Sequence, residues 1–70
     1  MIDHILNAHS SLKKGETVKI VTTVPDYITY VNRTDLLKDN DDVLEIYRAN
    51  GARVALNTNF VVMCCIVERL

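Results

Sequence analysis

The groups in this 70-residue chain with the chemistry to bind a metal or to react are few: His4 and His9, the adjacent Cys64 and Cys65, and an acidic run from Asp35 to Glu45. On a helix, residues five apart lie about 140° from each other, whereas paired metal ligands sit three or four apart. His9 falls on an apolar stripe and His4 opposite it, so the expectation is one core-edge and one surface histidine, and no metal site. Asp35, Asp39, Asp41, Asp42 and Glu45 resemble a calcium loop in composition only. An EF-hand needs ligands at fixed offsets and a glycine at its sharp turn, and here Asp42 and Val43 stand where that flexibility is required. A charged hairpin connection is expected instead. Neighbouring cysteines rarely bridge each other, because the ring strains the peptide between them, and in a strand they point to opposite faces. Cys64 and Cys65 lie between Met63 and Ile66, with no cation nearby to lower a thiol pKa, so they read as small core residues. There is no Gly-rich phosphate loop and no pair of carboxylates on a rigid frame. The chain is therefore not expected to be an enzyme or to hold a cofactor; a site built between subunits is the one remaining route to activity.

One constellation remains, the trio Tyr47, Arg48 and Arg53, and the element that must position it is a hairpin. Val43–Arg48 and Ala52–Asn57 flank Asn50-Gly51. A two-residue Asn-Gly loop would pair Arg48 with Arg53 and Leu44 with Asn57, setting like charges opposite each other and wasting the apolar face. A three-residue loop, Ala49-Asn50-Gly51, pairs Ile46 with Val54 and Leu44 with Leu56, and gives Gly51 the left-handed position that such a loop needs. In that register Tyr47 faces Arg53, with Arg48 beside the turn. A Tyr-Arg cross-strand pair can stack on a base or meet a carboxylate or an aromatic ring. These three residues are the expected partner-binding surface.

The remaining elements frame the hairpin. Ile2, Ile5, Leu6, His9 and Leu12 share one stripe at helical spacing, which predicts a helix over about 3–14, capped by Asp3 and stopped at Gly15. The β-branched run Thr17–Val24 predicts a strand ended by Pro25-Asp26, and a second strand follows at Tyr27–Asn32. Asp39-Asn40-Asp41-Asp42 reads as a turn; Leu36 and Leu37 fit either a helical turn or a prolonged second strand. Asn57-Thr58-Asn59 makes a further turn.

The last strand is the odd one. Phe60, Val61, Val62, Met63, Cys64, Cys65, Ile66 and Val67 do not alternate at all, and a strand apolar on both faces must bury both. Its second face needs the helix or another subunit, which points to self-association through Phe60–Val67.

Composition sets the outer bounds. Seventy residues make one domain, 1–70, with a marginal core for which a partner subunit is the available staple. Hydrophobic residues at 49% are too many for a disordered chain. Eight basic against nine acidic side chains leave a net charge of −1, without the cationic surplus expected of a phosphate-binding protein. The start lacks the charge and apolar runs of a signal peptide, and no stretch approaches the length of a membrane helix, so a soluble, cytoplasmic protein with no membrane partner is expected. Asn32-Arg33-Thr34 fits a glycosylation sequon, which in that compartment is chance.

In order, the elements resemble the Sm-like small barrel and its SH3-like relatives, in which an N-terminal helix precedes five bent strands. Asp35 after the second strand, and Asn50-Gly51 between the late strands, stand where Sm-like proteins place an aspartate and a glycine. Thr29 or Tyr30 occupies the place of the family's strand-two glycine, and Lys38 lies near that of its asparagine. The resemblance implies ring assembly through edge strands. The expectation is thus an α+β, mainly β protein: one helix, then about five antiparallel strands in a small barrel or curled sheet. It would act as a homo-oligomeric binding or adaptor module for a protein partner, with an RNA-binding Sm-like ring as the alternative.

Overall fold

The computed structural model describes residues 2–23 and 26–68. Among these residues one helix, α1 (Ile2–Ser10), precedes six strands: β1 (Glu16–Thr23), β2 (Asp26–Asn32), β3 (Leu36–Asn40), β4 (Val43–Tyr47), β5 (Arg53–Asn57) and β6 (Val61–Glu68). A 3-10 turn, Thr58–Phe60, joins β5 to β6. The strands form two antiparallel three-stranded sheets, ordered β2-β1-β6 and β3-β4-β5, which curl around one core instead of closing into a barrel. The expected end of the first strand at Val24 and the turn at Pro25 lie outside the described residues.

Alternation builds the core. Val18 and Ile20 of β1, Val31 of β2, Leu44 and Ile46 of β4 and Leu56 of β5 all turn inward and are buried, and Ile5 and Leu12 close over them from the N-terminal segment. The helix is shorter than its apolar stripe predicts. Ser10 and Ser11 hydroxyls donate to the carbonyls of Asn7 and Ala8, and Ser11 and Leu12 close with three-residue turns, so the serines take up carbonyls that a continuing helix would use. Leu12 still reaches the core from beyond the last helical turn. Gly15, at φ +86°, serves the following Lys13–Glu16 turn and does not cap the helix.

The hairpin follows the three-residue loop. Ile46 pairs with Val54, Leu44 with Leu56 and Tyr47 with Arg53. The Arg48 N–H donates to the Ala52 carbonyl at 2.8 Å, the Gly51 N–H to the Arg48 carbonyl at 3.0 Å, and Gly51 sits at φ +92°. Leu36 and Leu37 belong to neither alternative foreseen for them: they open β3, which pairs with β4 from Leu36↔Tyr47 to Asn40↔Val43. The acidic Asn40-Asp41-Asp42 turn carries Asp41 at φ 55° and is tied to the 3-10 turn, since Thr58 donates both its N–H and its hydroxyl to the Asp42 carbonyl. Phe60, expected in the last strand, ends that 3-10 turn instead. The Asn57 side chain accepts from the Asn59 N–H and bends the chain before β6 begins.

Candidate functional site

Directly opposed residues in an antiparallel ladder share a face. On the outer face of the second sheet, the ladder therefore sets Leu36, Tyr47 and Arg53 in one row across β3, β4 and β5, and Lys38, Glu45 and Ala55 in the next. Leu36 is 69% exposed. Tyr47 is half-buried and its hydroxyl donates to Glu45 Oε2, two residues along the same face, which fixes the ring against the sheet. Arg53 is exposed and makes no ion pair among the described residues. The row thus offers an aliphatic side chain, a held aromatic ring and a cation side by side. Leu36 was not foreseen here, because a strand at 36–40 was not.

Arg48 does not belong to this surface. Its guanidinium turns into the protomer, pairs with the Asp35 carboxylate at 2.6 Å and also donates to the Tyr30 carbonyl. Asp35 is 2% exposed and accepts in addition the Asn32 N–H at 2.9 Å. The pair locks the β2–β3 bend to the base of the hairpin. Of the trio expected at the binding surface, the structure brings together Tyr47 and Arg53 and commits Arg48 inside. The aspartate thirteen residues earlier, seated in a turn, is the only signal for this in the sequence.

The second constellation is β6, an edge strand paired on one side with β1. Val61 and Cys64 pack against the core, and α1 lies over β1 and β6. That packing does not cover the strand. Val62, Met63 and Ile66 remain 58%, 43% and 41% exposed, and Phe60 just before them is exposed as well. The ladder runs Val21↔Met63 and then Thr22↔Val61, so Val62 is an extra residue that bulges from the sheet. Cys65 and Val67 are half-buried. From Val61 to Val67 the edge carries no charge at all.

The cysteines are free thiols. Burial, and secondarily the neighbouring Cys65, push the Cys64 thiol above its ordinary pKa. A raised pKa keeps less thiolate at a given pH, and thiolate is the reactive form. Alkylation of Cys64 by iodoacetamide at pH 8 should therefore lag behind that of an unfolded control, as read by peptide mass mapping; equal rates would contradict the burial argument. His4 and the two cysteines border a shallow groove together with Ala8 and Ile66. His9 Nε2 donates to the Asn32 carbonyl at 3.0 Å, tying the helix to the end of β2. Among the described residues no three His, Cys, Asp or Glu side chains converge on a metal position, and no helix is long and apolar enough to cross a membrane. Compared with protein-family models, curated proteins and solved structures, the chain matches none.

Proposed function

We propose that this chain is a homo-oligomeric binding module: β6 joins the copies, and the outer face carrying Leu36, Tyr47 and Arg53 engages a protein partner. The observation that carries the reading is the β6 edge, an uncharged run whose Val62, Met63 and Ile66 stay exposed beside an unpaired backbone. Natural edge strands are normally blunted by charge or cover, and an edge left apolar is a template for another strand. Residues exposed in this way on a small domain with a marginal core gain most by meeting a second subunit.

The partner surface follows from the row across β3, β4 and β5. Tyrosine and arginine are the residue types enriched at the energetic centres of protein interfaces, and here Tyr47 is already held by Glu45, so little of its freedom remains to be lost on binding. A protein partner is preferred to RNA because the net charge is −1 and Asp35, on which the Sm-like resemblance leans, is spent on Arg48. Changing Tyr47 and Arg53 together to Ala should abolish partner capture while the far-UV circular dichroism shows the domain still folded, the urea midpoint falling only by the loss of the half-buried ring and its Glu45 hydrogen bond. Capture at the wild-type level by the folded double variant would remove this surface from the account.

A further inference from the structure

Four strands lie at sheet edges: β2 and β6 in one sheet, β3 and β5 in the other. Charged side chains are the usual protection of an edge. β3 carries Lys38 and Asp39, and β5 begins at Arg53. β2 likewise begins at a charged residue, Asp26, and β6 ends at one, Glu68, but their uncharged runs are the longest, Tyr27–Asn32 in β2 and Val61–Val67 in β6, against residues 54–57 in β5.

The free edge of β2 is partly occupied within the protomer. The Asn32 carbonyl accepts from His9 and from the Asp35 N–H, and the Tyr30 carbonyl accepts from Arg48. Alternate residues direct their main-chain groups to the same side of a strand. The N–H and C=O of Ile28 therefore face this same edge, just beyond the point that Arg48 covers. Here the edge opens onto a groove of about 580 Å3 between β2 and the hairpin, walled by Ile28, Thr29, Tyr30, Arg48, Ala52 and Val54. Tyr27 and Ile28 are 57% and 48% exposed. Thr29 is buried at the groove, and its hydroxyl oxygen has no hydrogen-bond partner among the described residues. The charges in the lining, Asp35 and Arg48, neutralise each other at 2.6 Å. A groove of this kind complements an uncharged extended strand, which brings backbone donors and acceptors together with apolar side chains. It offers nothing to a phosphate or to an acidic peptide.

We infer that this edge of β2 receives β6 of a second copy, so that the copies join head to tail. The inference rests on the self-association reading above and adds to it the surface that accepts the strand. β6 has what the groove requires: no charge from Val61 to Val67, an unpaired side, and exposed Met63 and Ile66. Because β2 and β6 are opposite edges of one sheet, the contact is heterologous. Each copy then has one edge to give and one to accept, and the assembly closes into a ring or continues as a filament.

The native cysteines supply the test, since both lie on β6. Within a protomer β1 separates β2 from β6, which sets them about 9–10 Å apart, beyond the roughly 7 Å that a disulfide can span. Tyr27→Cys and Ile28→Cys should therefore form disulfides only between copies. Oxidised with diamide, most of either variant should run as linked dimers and longer ladders on a non-reducing gel, while the wild type and Ala55→Cys, on the β5 edge, should not. Under reducing conditions each variant should keep the wild-type molar mass. Oligomers that cross-link through position 55 and not through 27 or 28, or through none of the three, would overturn the β2–β6 pairing and leave self-association standing. A wild type that is monomeric throughout would remove both.

Discussion

If β6 joins copies of this chain as proposed, replacing Met63 and Ile66 together with Lys should leave the protein folded and monomeric. Both side chains are more than two-fifths exposed in the protomer, and surface substitutions of this kind usually move stability by only about 0.5 kcal/mol. At an interface the balance differs. Burying a large apolar side chain contributes roughly 1.5–3 kcal/mol, and a lysine in its place would have to be desolvated without a partner. Only the exposed two-fifths of each side chain remains to be buried, roughly 1.2–2.4 kcal/mol over the two positions, so this loss alone should raise the dissociation constant about 10- to 50-fold, since 1.4 kcal/mol is a factor of ten. Two ammonium groups also restore the charge protection that this edge lacks. Sedimentation velocity, with circular dichroism to confirm folding, reads both halves of the prediction. A folded double variant with the wild-type sedimentation coefficient would show that β6 is not the joining strand.

Removing the Arg48 side chain should cost about 3 kcal/mol of folding stability, because breaking a buried ion pair leaves the other charge uncompensated. Arg48→Ala strands a nearly fully buried Asp35 carboxylate with the Asn32 N–H, and removes the Arg48 hydrogen bond to the Tyr30 carbonyl. A core of this size rarely supplies more than about 3–5 kcal/mol in total, so the variant should be largely unfolded or rescued only by assembly. Arg48→Lys keeps the charge but not the planar fork and should fall between the two. Adding Asp35→Ala to Arg48→Ala removes the stranded carboxylate and should recover part of the loss, the signature of direct coupling. Urea denaturation measures all four proteins. A midpoint for Arg48→Ala close to that of the wild type would mean that the ion pair does not hold the β2–β3 bend to the hairpin.

The structural features behind these two predictions were not equally visible in the sequence. The β6 edge was, because an eight-residue apolar run with no alternation is unusual and demands cover on both faces. The hairpin register was visible for a similar reason: only one loop length keeps Leu44, Ile46, Val54 and Leu56 on one side, and it places Tyr47 opposite Arg53. Arg48 was not. An arginine next to a turn reads as solvated, and its partner Asp35 is brought to it by a bend that leaves no periodic trace. The strand β3 was hidden for a related reason. Of Leu36–Asn40 only Leu37 is even half-buried, so the segment has no alternating pattern to read, and its two leucines suit a helical turn equally well. The helix end was misplaced because the apolar stripe continues to Leu12, which is buried from a turn and not from a helix. Phe60 shows the converse. Its character belongs to the apolar run, but the Asn57 side chain caps a 3-10 turn that carries it out of the strand.

The claim that β6 joins copies of this chain is tested most directly by the molar mass of the wild type in solution. Multi-angle light scattering over a hundred-fold dilution series, at low and high salt, should give a multiple of the 7.9 kDa chain. That multiple should change little with salt, because the contact is apolar and uncharged. A mass of one chain at every concentration would contradict the account and leave the exposed Val62, Met63 and Ile66 without a role in assembly.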